Sequence, residues 1–221
     1  MQKFDTTAPI SAVLDIPAGR IQLIAADRAD TVVEVLPADP AKRRDVQTAE
    51  RTTVAYADGV LRIQVPEPEN KLLGASGSLE VTVQLPAGSR VEAKAASSEL
   101  RGVGRLGHVA FEGAHRQIKI DEAESVRLTA IDGDIEVGRL NGPAEISTAR
   151  GDIRIAEAVR GTVVLRTGSG DISVAAAAGV SAALDADTGH GRINNALKND
   201  GTTELDIRAT TPQGDITARS L

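Results

Sequence analysis

The stretches IDGDIEV (131–137), ARGDIRI (149–155), GSGDISV (168–174), GHGRINN (189–195) and QGDITA (213–218) repeat one short phrase down the second half of the chain. Their central isoleucines, Ile135, Ile153, Ile172, Ile193 and Ile216, are spaced by 18, 19, 21 and 23 residues. A period this short and regular matches one turn of a solenoid and is too short for a domain. Aligned on that centre, the columns continue upstream through Leu100 and Ile118, which makes seven candidate rungs between about residue 91 and the C-terminus. A second apolar column precedes the centre: Ala93, Phe111, Leu128, Ile146, Leu165, Leu184 and Leu205. Val91, Val109, Val126, Ala144 and Val163 lie two residues before those, and Ile120, Val137, Ile155 and Val174 two residues after the centre. Spacing by two is strand periodicity. Each rung is expected to hold two short strands with apolar side chains inward, stacked in parallel about 4.8 Å from the next. The fold class is all-β, a parallel β-helix.

Two further columns mark the corner between the strands. Gly133, Gly151, Gly170, Gly191 and Gly214 all stand two residues before the central isoleucine, where a coil corner calls for positive φ or close backbone approach. Ser98 and Arg116 stand there in the first two rungs, so those corners are expected to be built differently. Asp134, Asp152, Asp171 and Asp215 follow the glycines, with Arg192 in the gap. Stacked carboxylates about 5 Å apart are a candidate cation ladder. Turn chemistry explains them more simply, because Asp after Gly bonds the backbone N–H groups of its own corner as in an Asx-turn. The nine-residue phrase of a calcium roll is missing.

Composition narrows the function classes. The chain has 221 residues, 41% of them apolar, but its only aromatic residues are Phe4, Tyr56 and Phe111. Its core is therefore aliphatic, which suits thin stacked strands. A formal charge of −6, from 31 acidic and 25 basic residues, opposes binding to a phosphate backbone, so no nucleic-acid partner is expected. The absence of cysteine rules out disulfides and thiolate metal sites. His115 and His190 share a column four rungs apart, too far to hold one metal ion, and His108 lies near a rung boundary. No Ser–His–Asp set falls at one level of the coil, and no catalytic residue, cofactor or metal is expected. Arg150-Gly151-Asp152 looks like a cell-attachment tripeptide, but its Gly and Asp belong to the repeated columns. The basic run Lys42-Arg43-Arg44 is flanked by Asp39, Asp45 and Glu50 and is expected to be solvated. No secretory leader or membrane-spanning run is visible, so the sequence as it stands predicts a cytoplasmic protein, or an exported one if a leader or anchor precedes it.

Residues 1–90 lack the period. SAVLDI (11–16), GRIQLIA (19–25), TVVEVL (31–36), TTVAYA (52–57), VLRIQV (60–65) and SLEVTVQL (78–85) read as short strands. Turn signals such as Asp58-Gly59 and Pro86-Ala87-Gly88 favour antiparallel hairpins. DPAKRRDVQTAER (39–51) is a loop or short helix, with Asp39 as its N-cap and Pro40 at its first position. This region, 1–90, is expected to cap the first coil of the helix formed by 91–221, the two making one continuous unit.

The phrases IPAGRIQL, VTVQLPAGSRVEAKAASSEL and the repeated GDI rungs resemble the bacterial "putative adhesin" family of β-strand-repeat proteins, a domain of unknown function. The resemblance covers essentially the whole chain. It implies a right-handed, single-stranded β-helix with a surface or scaffold role, and it brings no catalytic residues. Many relatives carry an export or membrane segment, which this sequence lacks. A non-enzymatic binding or scaffold module is the expected function, with an unknown protein or glycan partner and no membrane span. A self-assembling structural protein is the alternative, as dimer or filament through an open last coil around Ile207 and Ile216. A carbohydrate-active enzyme comes third, because aromatic sugar platforms are nearly absent.

Overall fold

The computed structural model describes residues 1–66, 77–113 and 117–221, so the expected places of His115 and Arg116 lie outside the described residues. The strands in order are β1 (Gln2–Asp5), β2 (Ser11–Ala26) and β3 (Asp30–Pro37), then β4 (Thr53–Ala57), β5 (Val60–Gln64), β6 (Leu79–Pro86), β7 (Arg90–Glu112) and β8 (Ile118–Asp132). The repeats supply β9 (Ile135–Leu140), β10 (Ala144–Arg150), β11 (Ile153–Ala158), β12 (Gly161–Thr167), β13 (Ile172–Ala176), β14 (Ala182–His190), β15 (Ile193–Ala196), β16 (Leu205–Gln213) and β17 (Ile216–Ser220). Among the described residues one helix, α1 (Arg43–Arg51), interrupts them. The protein is all-β, with an open sheet that does not close into a barrel.

Parallel pairing stacks the repeats into two ladders that share one aliphatic core. In the isoleucine ladder, Ile21 lies opposite Leu100, Leu100 opposite Ile118, Ile118 opposite Ile135, Ile135 opposite Ile153 and Ile153 opposite Ile172. In the opposing ladder, Phe111, Leu128, Ile146 and Leu165 stand in line. All of these side chains are buried. Each buried aliphatic side chain stabilises the fold by roughly 1.5–3 kcal/mol, and identical steps let every methyl pack on the coil before and after it.

At the C-terminal end the coils are not stacked in chain order. β12 pairs with β16 and β13 with β17, while β14 and β15 lie outside them, on β16 and β17. The chain thus leaves β13, skips one level, forms the terminal coil β14–β15, and returns to fill the gap with β16–β17. Ile207 and Ile216, expected at an open end, are 0% and 1% exposed, whereas Ile193 is 47% exposed. The apolar columns are corrected with the order. Leu184 is level with Ile207 and Val163, two residues from its expected alignment on Leu165, and Leu205 is level with Ala182 and Gly161. Asn195 explains the arrangement in part. It occupies the column of Ala218 and Val174, and in chain order its amide would be buried between them at a cost of roughly 1–3 kcal/mol.

The N-terminal half is permuted in the same way. SAVLDI and GRIQLIA form one continuous strand, β2, which turns a corner at Gly19 (φ +130°) and contributes to both ladders. It runs parallel to β5 and β6 on one side and to β7 on the other. These segments were expected as antiparallel hairpins, but alternation of apolar residues is the same in either direction, and burial on both sides favours the parallel stack. Among the described residues, antiparallel pairing is kept to β1–β3, β3–β6 and β4–β5. The Asp58-Gly59 turn joins β4 to β5 with both residues at positive φ, as its sequence predicts. Phe4 of β1 and Tyr56 of β4 meet with ring centroids 5.5 Å apart. The helix starts later than expected, with Lys42 at its N-cap position. Asp39 instead accepts from the Ala41 N–H at 3.0 Å in the preceding turn. Inside α1, Asp45 and Thr48 accept from the backbone N–H groups of Ser78 and Gly77, each at 3.0 Å, and dock the helix beside β6.

The coil order makes a direct prediction. Ile207→Asp places an unpaired carboxylate in the stack and should abolish cooperative folding, whereas Ile193→Asp should shift the urea midpoint only slightly. The opposite ranking would put the coils back in chain order.

Candidate functional site

The Gly-Asp corner is where the sequence concentrates its repeated polar residues, and the structure brings Asp134, Asp152, Asp171 and Asp215 into one column. Gly133, Gly151, Gly170 and Gly214 have φ of +133°, +130°, +148° and +146°. A Cβ at Gly151 would run into the Gly133 carbonyl, one at Gly170 into Gly151, and one at Gly214 into Gly170. Gly191 has the same close approach, to Gly214, without the positive φ. At Gly151, Gly170 and Gly214 glycine is thus required twice over, by conformation and by contact. Ser98, at the equivalent level near the N-terminal end, is fully buried, and its hydroxyl has no partner among the described residues.

The aspartates do not bond their own corners as the turn chemistry suggested. Each carboxylate reaches to the next coil. Asp134 Oδ1 accepts from the Asp152 N–H at 2.9 Å, Asp152 Oδ1 from the Asp171 N–H at 2.7 Å, and Asp171 Oδ1 from the Asp215 N–H at 2.8 Å. Asp215 Oδ1 then accepts from the Arg192 N–H at 2.8 Å. Arg192 closes the column with its guanidinium, whose Nε and Nη2 donate to Asp215 Oδ2 at 3.2 and 2.8 Å. The guanidinium beside Asp215 and the bond from Arg192 N–H hold that carboxyl below the usual carboxylate range. Its contribution to stability is therefore present at neutral pH and is lost as pH falls through the lowered value. The Arg192 guanidinium is held correspondingly above its usual range by Asp215.

A threonine column runs beside the aspartates, and sequence reasoning missed it. Thr167 Oγ1 donates to the Gly151 carbonyl at 2.9 Å, Thr211 to Gly170 at 3.0 Å, and Thr188 to Gly214 at 2.9 Å. Thr148 donates to Arg150 O at 3.0 Å. The signal was present: a threonine stands three residues before the glycine in 148, 167, 188 and 211. The hydroxyls of Thr167, Thr188 and Thr211 each satisfy the carbonyl of a positive-φ corner glycine, whereas Arg150 O also accepts the Gly133 N–H.

The remaining candidates separate from one another. Arg150 of the Arg-Gly-Asp tripeptide is paired with Asp132 at 3.1 Å, and its Asp152 is committed to the column. His190 is exposed, and its carbonyl accepts from the Gly214 N–H. His108 Nδ1 lies 2.8 Å from Ser125 Oγ, and burial, with Arg90 and Arg127 nearby, pushes its pKa down. No carboxylate bonds this imidazole among the described residues, so the pair lacks the third member of a catalytic triad. Lys42 pairs with Asp39 at 3.3 Å on the wall of a polar cleft of about 270 Å³, which also holds Arg20, Glu80 and Glu99. A second cleft of about 460 Å³ is lined by Pro143, Val159, Arg160, Val180 and Glu204. Among the described residues, no three His, Asp or Glu side chains form a cluster able to hold a metal ion, and no helix is long and apolar enough to cross a membrane.

A family model described as Toastrack DUF4097 matches residues 14–220. Among solved structures, the chain is similar to a "putative adhesin" from Bacteroides fragilis, at 14% identity and a TM-score of 0.48, covering 100% of this chain and 95% of that one. It is similar to another from Parabacteroides distasonis, at 16% identity and a TM-score of 0.48, covering 98% and 95%. A "putative cell adhesion protein" from Clostridium sporogenes aligns at 10% identity and a TM-score of 0.40, covering 100% and 98%. No curated protein matches the chain.

The corner chemistry predicts how the column responds to substitution and to cations. Asp152→Ala removes the acceptor for the Asp171 N–H and should lower the melting temperature by a few degrees, while Asp152→Asn, which keeps Oδ1, should be milder. Millimolar Ca²⁺ should leave the melting temperature of the intact chain unchanged. A rise that saturates with Ca²⁺ and disappears in Asp152→Asn would make the column a cation site.

Proposed function

The chain belongs to the Toastrack DUF4097 family, and we propose that it is a non-enzymatic, adhesin-like binding or scaffold module. In this proposal it is a right-handed, single-stranded parallel β-helix of about seven rungs, capped by residues 1–90 and continuous with them. The observation that carries the functional proposal is the registered outward surface. Lys119 pairs with Glu136 at 3.0 Å, Arg127 with Glu145 at 3.4 Å, Arg139 with Glu157 at 2.6 Å and Arg150 with Asp132 at 3.1 Å, each pair bridging neighbouring coils. Such pairs add little stability, since exposed ion pairs contribute about 0–1 kcal/mol. What they do is hold charged side chains at fixed spacing on a rigid ladder, and pre-organised display of this kind favours recognition of an extended protein or glycan surface. The words "adhesin" and "cell adhesion" attached to the similar structures accord with such a surface.

A carbohydrate-active enzyme is less well supported. Of the three aromatic residues, Phe4 and Tyr56 pack on each other and Phe111 is buried in the core, so none is placed as a sugar platform on the outward ladders. Self-assembly is the second proposal, favoured by the terminal coil, where Ile193 and all of β15 are exposed.

Binding of the labelled intact chain to arrays of cell-surface glycans and matrix proteins tests the leading proposal. Saturable binding should be weakened several-fold by charge reversal at the exposed Arg154 and Arg166, with the melting temperature unchanged. Turnover of an arrayed glycan, with release of cleaved product, would replace the proposal with an enzymatic one.

A further inference from the structure

The coil formed by β16 and β17 is held from both sides. β12 and β13 flank it on one face and β14 and β15 on the other. The terminal coil pairs with the rest of the protein only through it: among the described residues β14 pairs with β16 alone and β15 with β17 alone. The contacts that seat the inserted coil are specific. Thr211 Oγ1 donates to Gly170 O, the Asp215 N–H to Asp171 Oδ1, and the Ile172 N–H to Asp215 O on the inner face. The Arg192 guanidinium grips Asp215 on the outer face. The tether between clamp and inserted coil is residues 197–204, of which 198–204 are all exposed. Its bonds are partly local, from the Gly201 N–H to Asn199 Oδ1 at 2.8 Å and from the Thr202 N–H to Asp200 Oδ1 at 3.0 Å. The others hold it to its surroundings: the Lys198 N–H donates to Ser220 Oγ at 2.9 Å, the Asp200 N–H to Ser181 Oγ at 3.1 Å and the Asn199 amide to Ala182 O at 3.2 Å, while Glu204 bonds through its backbone to Ser181 and Gly161. Gly201, at φ +101°, has open space around it.

We propose that the gap between β12–β13 and β14–β15 is a docking slot for the 205–220 coil of a second copy, and that two chains associate by reciprocal exchange of this coil. The inference goes beyond surface binding and does not rest on it. Because the coil enters between two coils that precede it in the chain, a chain in which 205–220 has not yet docked offers the free edges of β12–β13 and of β14–β15 to any coil that can pair with both. In that state the chain's own coil competes only by its tether, with an effective concentration in the millimolar range for a short flexible linker. The bonds formed in the slot are the same whichever copy supplies the coil. Exchange therefore changes the path of 197–204, the bonds of that segment to Ser181, Ala182 and Ser220, and the association entropy, and reciprocal exchange closes into a two-fold dimer without leaving an open end. The apolar pattern of the coil, Leu205, Ile207, Ala209, Ile216 and Ala218, is buried in the slot, so an empty slot exposes apolar surface on both sides and is driven to refill.

The chain has no cysteine, which makes the test clean. Ser173 of β13 and Thr217 of β17 lie opposite each other, and neither belongs to the buried core. Full-length Ser173→Cys and Thr217→Cys chains are unfolded together, refolded at about 100 μM, a tenth of the tether's roughly millimolar effective concentration, and oxidised. Exchange predicts a covalent dimer on a non-reducing gel, several-fold above that formed by either variant alone. No excess over the single variants would overturn the proposal, provided that the Ser173→Cys/Thr217→Cys double variant closes its bond within one chain and so shows that the positions are adjacent. Failure of the double variant to close a bond would overturn it as well, by removing the slot itself.

Discussion

The repeated half of the structure depends on one hydrogen bond made at each Gly-Asp corner, from a backbone N–H to the aspartate carboxylate of the neighbouring coil. The bond has a direction. Each level must offer an acceptor to the next, and the last level needs only a donor. Asp134, Asp152, Asp171 and Asp215 meet the first condition, and Arg192 can meet only the second, because a guanidinium has five donors and no acceptor. The coil that carries Arg192 therefore belongs at the end of the stack, although it is followed in the chain by another coil. The threonine relay obeys the same order, with Thr188 bonded to Gly214 and Thr211 to Gly170. Asn195, in an inward column that carries Ala218, Val174, Ile155, Val137 and Ile120 at the neighbouring levels, adds the cost of burying an amide to a placement among them.

Both ends of the molecule share this solution. β2 is taken in between the coil of β5 and β6 and the coil begun by β7, as β16 and β17 are taken in between β13 and β15. An inserted coil gains ladder bonds and apolar packing on both faces, where a terminal one gains them on one. The least polar segments are thus moved inward and the more polar ones left outside. Most contacts become distant in sequence, and folding of such a topology is expected to be slow relative to a helical protein of equal size.

Much of the fold was legible in the sequence because a ladder repeats its requirements at every level. The isoleucine centres, the apolar residues two positions away and the corner glycines all stand in register from 118 to 174. Coil order was not legible from period alone, since the local pattern of 182–197 fits either level. Its polar content was the clue: Arg192 where other levels carry Asp, and Asn195 where they carry Val, Ile or Ala. The parallel direction of β2 was hidden because strand alternation carries no sign of direction, and Asp-Gly marked only the one hairpin that forms. At the corner, the aspartates were visible as a column but their partners were not, because a bond to the next coil and a bond within the turn use the same residue types. The threonines three residues before Gly151, Gly170, Gly191 and Gly214 carried the missing half of that chemistry.

The proposed role asks for a stack with its charges in register, and the proposed exchange asks for a terminal coil held on one side only. Both properties follow from the order of the last two coils. That order is measured most directly by methyl NOEs in the isoleucine ladder, where Ile172 and Ile193 are separated by Ile216. Cross-peaks from Ile172 to Ile216 and from Ile216 to Ile193, with none from Ile172 to Ile193, are the predicted result. A direct Ile172–Ile193 cross-peak without one between Ile172 and Ile216 would show the coils stacked in chain order and contradict the account.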